Sequence, residues 1–500
     1  MMLLSQAEQV LRAKMLGNDV RFTSVSTDSR KIAPGNLFIA LRGENFDGAA
    51  FVESAARDGA VAAMINADSY GGAAACPLLL VEDTRLGLGR LAAHWRAQFA
   101  IPVVGLTGSN GKTTVKEMLA CILREHTKDD FHDRSLSHRG ITSDLAAVSG
   151  QPSRMASSPI RVGEGERPED AEDGVLATQG NLNNDIGMPL TLLGLQAVHR
   201  YAVIEMGMNH PGEIEYLSRL ASPDVAVITN ASGAHLAGLG SVEAVARAKG
   251  EIFAGLRQGG TAVINADDVY EPLWRKLAGD HAVVEFGLHG YPSVYGKWQP
   301  RGFGAHLAVL TRQGEFDVGL QVPGVHNVRN ALAATAAALA LSVPLEKIAA
   351  GLEKFGGVAG RLQRKAARHG AALIDDTYNA NPSSMRAALE VLAQAPGRRI
   401  FVMGDMGELG EDAARYHAEI GGFARQSGIQ RLLALGGLSR EAVREFGAGA
   451  QHFEDAESLC AVLESELDAG VTVLVKGSRF MKMERVVAKC TEGEETCCSH

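Results

Sequence analysis

Five hundred residues exceed one ordinary core, and at roughly 150 residues per domain the length predicts about three domains. The chain is 46% hydrophobic and 21% charged, the balance of a soluble globular protein, and 49 basic against 58 acidic residues leave a formal charge of −9. That shortage of base argues against nucleic acid or an anionic membrane as partner, whereas a small phosphate-rich ligand needs only a local positive site.

The opening stretch MMLLSQAEQVLRAKML puts its basic residues after its apolar ones and lacks a small-residue cleavage site, so it does not read as a signal peptide. No apolar run reaches the roughly 18 residues that cross a bilayer. Cys76, Cys121, Cys460, Cys490, Cys497 and Cys498 are scattered without metal-ligand spacing, the usage of a reducing compartment. A cytoplasmic enzyme, monomeric, without nucleic-acid partner or membrane insertion, is expected.

In chain order, short Val- and Ile-rich runs alternate with Ala- and Leu-rich helical patterns. The runs are Val103–Leu106, Tyr201–Glu205, Val225–Thr229, Ala262–Asn265, Ile400–Met403 and Val471–Lys476. Continuous apolar strands followed by helices predict an α/β fold with parallel sheets covered on both faces, and ligands at the carboxyl ends of the strands. Three blocks are expected: 1–98, 99–357 and 358–487, with Gly356-Gly357 as a hinge because glycine tolerates the dihedral change a domain rotation requires. Residues 127–173 are polar, mixed in charge and aperiodic, and are expected to form a disordered surface insertion in the middle block. Residues 488–500, with Cys497 and Cys498, read as a loose tail.

The first chemical signal is Gly105-Leu106-Thr107-Gly108-Ser109-Asn110-Gly111-Lys112-Thr113-Thr114, with an apolar strand leading in and a helical pattern, Val115 to Arg124, leading out. Glycines let backbone N–H groups converge on phosphate oxygens, and the helix N-terminus adds a favourable dipole. Lys112 offers a point charge to the β- and γ-phosphates, and the Thr113 hydroxyl is placed for magnesium. The strict G-x-x-x-x-G-K-[ST] pattern would need glycine where Leu106 stands; glycines occur instead at 105 and 108. By itself this loop indicates only a nucleoside triphosphate.

The form TGSNGKTT resembles the Mur ligase family and its relative folylpolyglutamate synthetase. Four further stretches strengthen the likeness to the Mur ligases, in order along the chain. They are Ser26-Thr27-Asp28-Ser29-Arg30 with Asn45-Phe46-Asp47-Gly48, then Gly180-Asn181-Leu182-Asn183-Asn184-Asp185-Ile186-Gly187, then Asp375-Asp376-Thr377-Tyr378-Asn379-Ala380-Asn381-Pro382, and last Lys476-Gly477-Ser478-Arg479. The resemblance implies a small N-terminal α/β domain binding the UDP moiety, a central P-loop ATPase domain with a parallel sheet, and a C-terminal Rossmann-like domain that closes over the site. It further implies ATP-dependent addition of D-alanyl-D-alanine to UDP-N-acetylmuramoyl-tripeptide through an acyl phosphate.

Residue roles follow from the same likeness. Gly108, Ser109, Asn110, Gly111, Lys112, Thr113, Thr114, Asn327, Arg361 and Asp376 would contact ATP. Thr113, Glu205 and His235 would hold magnesium, and Lys249 would carry a carbamate, making Lys112, Glu205, His235 and Lys249 the catalytic set. Ser26, Asp28, Ser29, Arg30, Asn45, Asn183, Asn184, Asn379 and Asn381 would bind substrate. From pattern alone Lys249, in an Ala-rich helix, reads as a solvated lysine, and one of Asn327 and Asn330, which share a face at i, i+3 spacing where the helix Ala331 to Leu341 opens, reads as a helix cap. Competing readings are another Mur ligase, a folylpolyglutamate synthetase, a P-loop NTPase that makes no bond, and a homologue disabled by its insertion.

Overall fold

The structure is a computed structural model that describes residues 1–43, 46–139, 174–233 and 239–491, with side chains of the long helix described to residue 128. Asn45, His235, Cys497 and Cys498 and most of the expected insertion therefore lie outside the described residues.

Among the described residues three large sheets, besides a two-stranded antiparallel pair of Met2–Leu3 with Arg21–Phe22, organise the chain. The N-terminal sheet has five strands in the order Lys14–Leu16, Leu78–Val81, Ala62–Asn66, Asn36–Ile39 and Ser24–Ser26, all parallel except at the first junction. The central sheet has nine, in the order Gly314–Leu320, Gly304–Thr311, Val294–Arg301, Ala282–Gly287, Thr261–Asn265, Val225–Ile228, Val103–Thr107, Tyr201–Glu205 and Val175–Ala177. Only its last three strands in chain order form antiparallel pairs. The C-terminal sheet has six, in the order Gln363–Ala366, Ala372–Asp376, Val471–Lys476, Arg398–Gly404, Arg431–Leu435 and Ala450–Phe453, parallel after an antiparallel first pair. The α/β expectation holds.

The strand Val103–Thr107 lies between Tyr201–Glu205 and Val225–Ile228, with Gly105 opposite both Ile204 and Ala226. The chain runs first to one side of this strand and then to the other. Its carboxyl end is therefore a topological switch point, where helices diverge and leave a crevice. Every residue of Val103–Thr107, Val225–Ile228 and Val471–Lys476 is buried, as expected of parallel strands covered on two faces. Alternation sorts them: Val103, Ile204 and Ala226 enter one apolar core, while Val104, Leu106, Val203 and Val227 enter the other.

The first of these cores also contains Met2, Leu4, Phe22, Leu37, Leu88 and Leu91, so the N-terminal unit and the central sheet share one continuous apolar interior. The C-terminal sheet fills two clusters with its own residues, including Phe401 and Leu474 on one face and Val402 and Val475 on the other; Phe303 of the central sheet packs against the first. Its other junction with the central unit is polar.

Two expectations change. The helix of the phosphate loop, Lys112–Arg139, runs past residue 127. No glycine or proline interrupts the sequence between Gly111 and Gly140, and a nucleated helix propagates at one hydrogen bond per added residue, so loss of apolar periodicity alone does not stop it. The tail, too, starts later than residue 488: helix Glu484–Cys490 packs against the C-terminal sheet with Val486, Val487 and Cys490 buried. Among the described residues no helix is long and apolar enough to cross a membrane.

Candidate functional site

The phosphate loop leaves the strand Val103–Thr107 and turns through Gly108 and Gly111, at φ 155° and 83°. A Cβ on Gly108 would collide with the Thr229 hydroxyl, and one on Gly111 with the Asn330 side-chain oxygen, so backbone angle and space both require glycine. The end of the neighbouring strand braces the loop. Thr229 donates its hydroxyl to the Asn110 carbonyl (2.6 Å), and the Asn230 amide both accepts from Asn110 N–H and donates to its carbonyl (3.0 Å each). Ser109 N–H donates to the Asn230 carbonyl at 3.0 Å. The Lys112 ammonium donates to the Gly108 carbonyl at 2.7 Å, folded back over its own loop. Enclosure lowers its pKa; Glu205 opposes that fall and the Arg361 charge adds to it.

Beyond Lys112 lies an oxygen-rich corner. Thr113 donates its hydroxyl to Glu205 Oε2 at 2.9 Å, and Asn183 Nδ2 donates to Glu205 Oε1 at 2.7 Å. Glu205 is buried at the carboxyl end of Tyr201–Glu205. A buried carboxylate beside a threonine hydroxyl is a hard-oxygen set suited to magnesium, which takes its remaining ligands from water and phosphate. Among the described residues no cluster of three or more His, Cys, Asp or Glu side chains forms a complete metal cage.

Lys249, in helix Val242–Gly250, is only 1% exposed, which overturns the solvated reading. Burial, with the nearby Lys112 charge, holds its pKa well below the usual lysine value. It is a buried neutral-amine candidate close enough to Lys112 to feel its charge.

The C-terminal unit completes the enclosure. Arg361 Nη2 donates to the Thr113 hydroxyl at 2.8 Å, and its guanidinium stacks 4.1 Å over the Tyr378 ring. Asn381 Nδ2 donates to Asn110 Oδ1 at 2.8 Å, while Asn110 Nδ2 reaches the hydroxyls of Ser383 (2.9 Å) and Ser232 (3.0 Å). Asp376 accepts from Lys476 Nζ (2.5 Å) and from Leu362 N–H (3.1 Å). The resulting cavity, about 1390 Å³, is walled by the phosphate loop, by Arg85 and Leu86 of the N-terminal unit, and by residues around Asp376, Glu408 and Arg479 of the C-terminal unit. It has room for a nucleotide together with a second ligand.

Comparison with known proteins decides the family. Models described as "Mur ligase family, catalytic domain", "Mur ligase middle domain" and "Mur ligase, glutamate ligase domain" match residues 21–96, 166–338 and 360–479. The UDP-N-acetylmuramoyl-tripeptide–D-alanyl-D-alanine ligase of Escherichia coli (strain K12) is 39% identical over 493 residues, covering 98% of each chain. The chain belongs to the Mur ligase family. Among solved structures, MurF from Acinetobacter baumannii is similar at TM-score 0.81 and 35% identity over 97% of both chains. MurF from Thermotoga maritima in complex with ADP is similar at TM-score 0.74 and 26% identity, over 93% of this chain and 96% of that one.

In this Mur ligase chain, Gly111, Lys112, Ser109, Asn110, Thr114, Asn183, Asn184, Glu205, Asn327, Arg361, Asp376, Asn379 and Asn381 all border the cavity. Several are engaged locally. Asn184 Oδ1 accepts from Gly187 N–H (2.8 Å) at the start of helix Gly187–Leu193, and Asn381 caps helix Pro382–Ala393 by accepting from Ser384 N–H (2.9 Å). Asn379 Oδ1 accepts from Ala380 N–H at 2.8 Å. Asn327 is not a helix cap: helix Val325–Ala340 begins after Gly324, and Asn327 Nδ2 donates to the Pro323 carbonyl (2.8 Å) while Oδ1 accepts from Asn330 (3.1 Å). Asn327 and Asn330 share the face that touches the phosphate loop.

Ser26, Asp28, Ser29 and Arg30 do not border this cavity. Asp28 caps the short turn Ser29–Lys31 and takes Arg30 Nε and Nη2 at 2.9 Å each; the guanidinium beside it pulls its pKa down to about 2. Sequence reasoning missed Thr229, Asn230 and His326, although the first two follow an apolar strand at its carboxyl end. It also missed Lys116, one turn after Lys112, whose Nζ is buried and donates to the Thr178 carbonyl. His326 lines the cavity with its pKa pushed down to about 4, chiefly by loss of water, with Lys476 and Arg329 adding to the fall against Asp376.

Proposed function

We propose that this chain is an ATP-dependent, ADP-forming ligase that joins D-alanyl-D-alanine to UDP-N-acetylmuramoyl-tripeptide, yielding the UDP-muramyl-pentapeptide of peptidoglycan synthesis. The observation that carries this reading is likeness over 98% of the chain to a ligase of that name, together with a phosphate loop opening into a cavity walled by all three units. The ADP complex of a structural relative supports ATP as co-substrate. Residues 1–98 would hold the UDP moiety, 99–357 ATP and 358–487 the incoming dipeptide. We place the enzyme in the cytoplasm, as a monomer.

A carboxylate at neutral pH is a poor acyl donor. In the proposed reaction a tripeptide carboxylate oxygen bonds to the γ-phosphorus as the bond to the β-bridging oxygen breaks, and ADP leaves. Lys112 would turn from the Gly108 carbonyl to the β- and γ-oxygens, and Arg361 would meet developing charge from the closing unit. The amine of D-alanyl-D-alanine then bonds to the acyl carbon as the carbon–oxygen bond to phosphate breaks. Starting from an ammonium, the nitrogen loses two protons; one leaves with hydrogen phosphate and one goes to the medium. Thr113 and Glu205, with His235 outside the described residues, would hold magnesium, which would supply neutralising charge at the phosphates. Asn183 would keep the Glu205 carboxylate aimed. Lys249, depressed in pKa and without a hydrogen bond among the described residues, is the amine that would carry a carbamate. Most of the rate enhancement then comes from positioning and electrostatics.

The test is ATP-dependent phosphate release with UDP-muramyl tripeptide plus D-alanyl-D-alanine, with mass spectrometry of the product. Phosphate release that requires both acceptors, and a pentapeptide mass, is the expected result. Release without the muramyl substrate would favour an NTPase that forms no bond; no amide from folded, ATP-binding protein would exclude the assignment.

A further inference from the structure

The helix that leaves the phosphate loop carries a second buried lysine. Lys116, one turn after Lys112, is 1% exposed and does not border the cavity. Taking an ammonium out of water is costly unless charge and hydrogen bonds compensate it, so a lysine held inside marks a place where both its reach and its charge are used. Nζ donates to the Thr178 carbonyl and lies 2.8 Å from Glu117 Oε1. Thr178 follows Val175–Ala177, the edge strand of the central sheet, and is itself buried. Its backbone N–H donates to the Val203 carbonyl at 3.0 Å, and its hydroxyl accepts from Glu205 N–H at 2.9 Å. A buried carbonyl must be paired, and at this strand end the lysine does it.

Thr113 and Lys116 stand at i, i+3 on one face of this helix. Thr113 donates its hydroxyl to Glu205 Oε2 at 2.9 Å, and Lys116 secures the residue that holds Glu205 N–H. A single helix face thus grips Glu205 twice, at the carboxylate directly and at the backbone through Thr178. Beyond Thr178 the chain runs into Asn181–Asp185 along the cavity wall. Asn183 returns to Glu205 Oε1 at 2.7 Å, and its carbonyl accepts from Gly207 N–H at 2.8 Å. A Cβ on Gly207 would lie 2.8 Å from the Asn183 side-chain oxygen, so the return contact has no slack. The segment from Thr178 to Asn183 is tied to Glu205 at both ends, and Lys116 is its tie to the phosphate-loop helix.

We propose that Lys116 is a positioning residue for the magnesium–nucleotide corner: acting through Thr178, it fixes where Glu205 presents its carboxylate beside Thr113. This inference rests on the magnesium role proposed above for Thr113 and Glu205. A metal ligand works at full strength when the groups around it hold it in the binding geometry before the metal arrives. An apolar side chain in place of Lys116 leaves the Thr178 carbonyl unpaired, and the strand end that carries the Glu205 N–H acceptor is then free to shift.

The experiment is calorimetric titration of the full chain with ADP, once with magnesium and once with EDTA. It compares the wild type, Lys116→Met, Thr178→Val, the double variant and Lys276→Met, an exposed lysine away from the site, as control. Thr178→Val keeps the shape and backbone of the relay and removes only the hydroxyl. The expected result is that ADP affinity with magnesium falls roughly tenfold in each single variant, or to the level seen in EDTA, while affinity in EDTA stays within about twofold. The double variant falls no further than the weaker single one, because both act along one path, and the control is unchanged. A lysine that serves only folding would lower the melting temperature and the binding stoichiometry yet leave the magnesium-dependent gain at its wild-type size, which would overturn the proposal; so would losses that add in the double variant. If Lys116→Met does not fold, Thr178→Val decides alone by the same criterion. A wild type whose ADP affinity is indifferent to magnesium would remove the metal reading of Thr113 and Glu205, and this inference with it.

Discussion

The phosphate loop and the Ser26–Arg30 loop both stand out in the sequence as ligand-binding, yet they are built in opposite ways. Around Gly108–Thr114, strand-end residues Thr229 and Asn230 brace the backbone and Thr113 is locked between Glu205 and Arg361. The lysine's charge is enclosed. At Ser26–Arg30 the two charges face each other: Arg30 is 86% exposed at its side chain and clasps Asp28 with both nitrogens of its fork. A ligand arriving at the first loop finds donors already aimed; one arriving at the second must first compete with a local pair in water, where such pairs contribute little. Preorganisation lies in the neighbours of a motif more than in the motif itself.

Three measurements sharpen or break that contrast. The largest effect is expected for Lys112→Ala, with product formation at saturating ATP lower by roughly 100- to 1000-fold or more while circular dichroism stays unchanged. A fall of less than about tenfold would mean that the enclosed ammonium is not poised for phosphate.

Next is the pH dependence of stability. Burial lowers the Lys249 pKa, so between that lowered value and the ordinary lysine value the unfolded chain holds a proton that the folded chain does not. Stability therefore rises with pH through that window and falls as pH drops through it, by at most about 1.4 kcal/mol per pH unit for one proton. Denaturant titrations of wild type and Lys249→Met at pH 7 and 9, in carbon-dioxide-free buffer, should show a shallower rise in the variant. Parallel slopes would place a charged lysine in the fold.

The smallest effect belongs to Asp28→Asn. It should raise the KM for the UDP-linked substrate by less than about tenfold, leave that for ATP alone, and shift stability by no more than about 0.5 kcal/mol. A hundredfold effect would show the N-terminal loop to be as strictly built as the phosphate loop.

Legibility in the sequence follows the same line. Tyr201–Glu205 and Val471–Lys476 were readable to the residue because a doubly covered parallel strand is a continuous apolar run ended by a polar residue at the site. The end of the phosphate-loop helix was not, because periodicity reports burial, and helix Lys112–Arg139 continues where the periodicity stops. The burial of Lys249 was invisible in an Ala-rich helical pattern, since one lysine among alanines looks the same on an inner or an outer face. Asn381 was readable as a member of a motif, but not as the helix cap it is; Asn184, in a motif of its own, turns the chain ahead of helix Gly187–Leu193, whose N-cap is Ile186.

Chain-local facts, then, come from the residues alone: the α/β alternation, the glycines and lysine of the phosphate loop, and the order of the motifs. Their causes act within a few residues, through dihedral preference, hydrophobic period and helix propagation. Only the folded chain decides that Arg361 meets Thr113 across 248 positions, that Asn381 meets Asn110, and that Lys249 lies behind Lys112 rather than in water. Those pairings depend on which strand lies beside which and on how one sheet closes against another, and no local preference encodes that geometry.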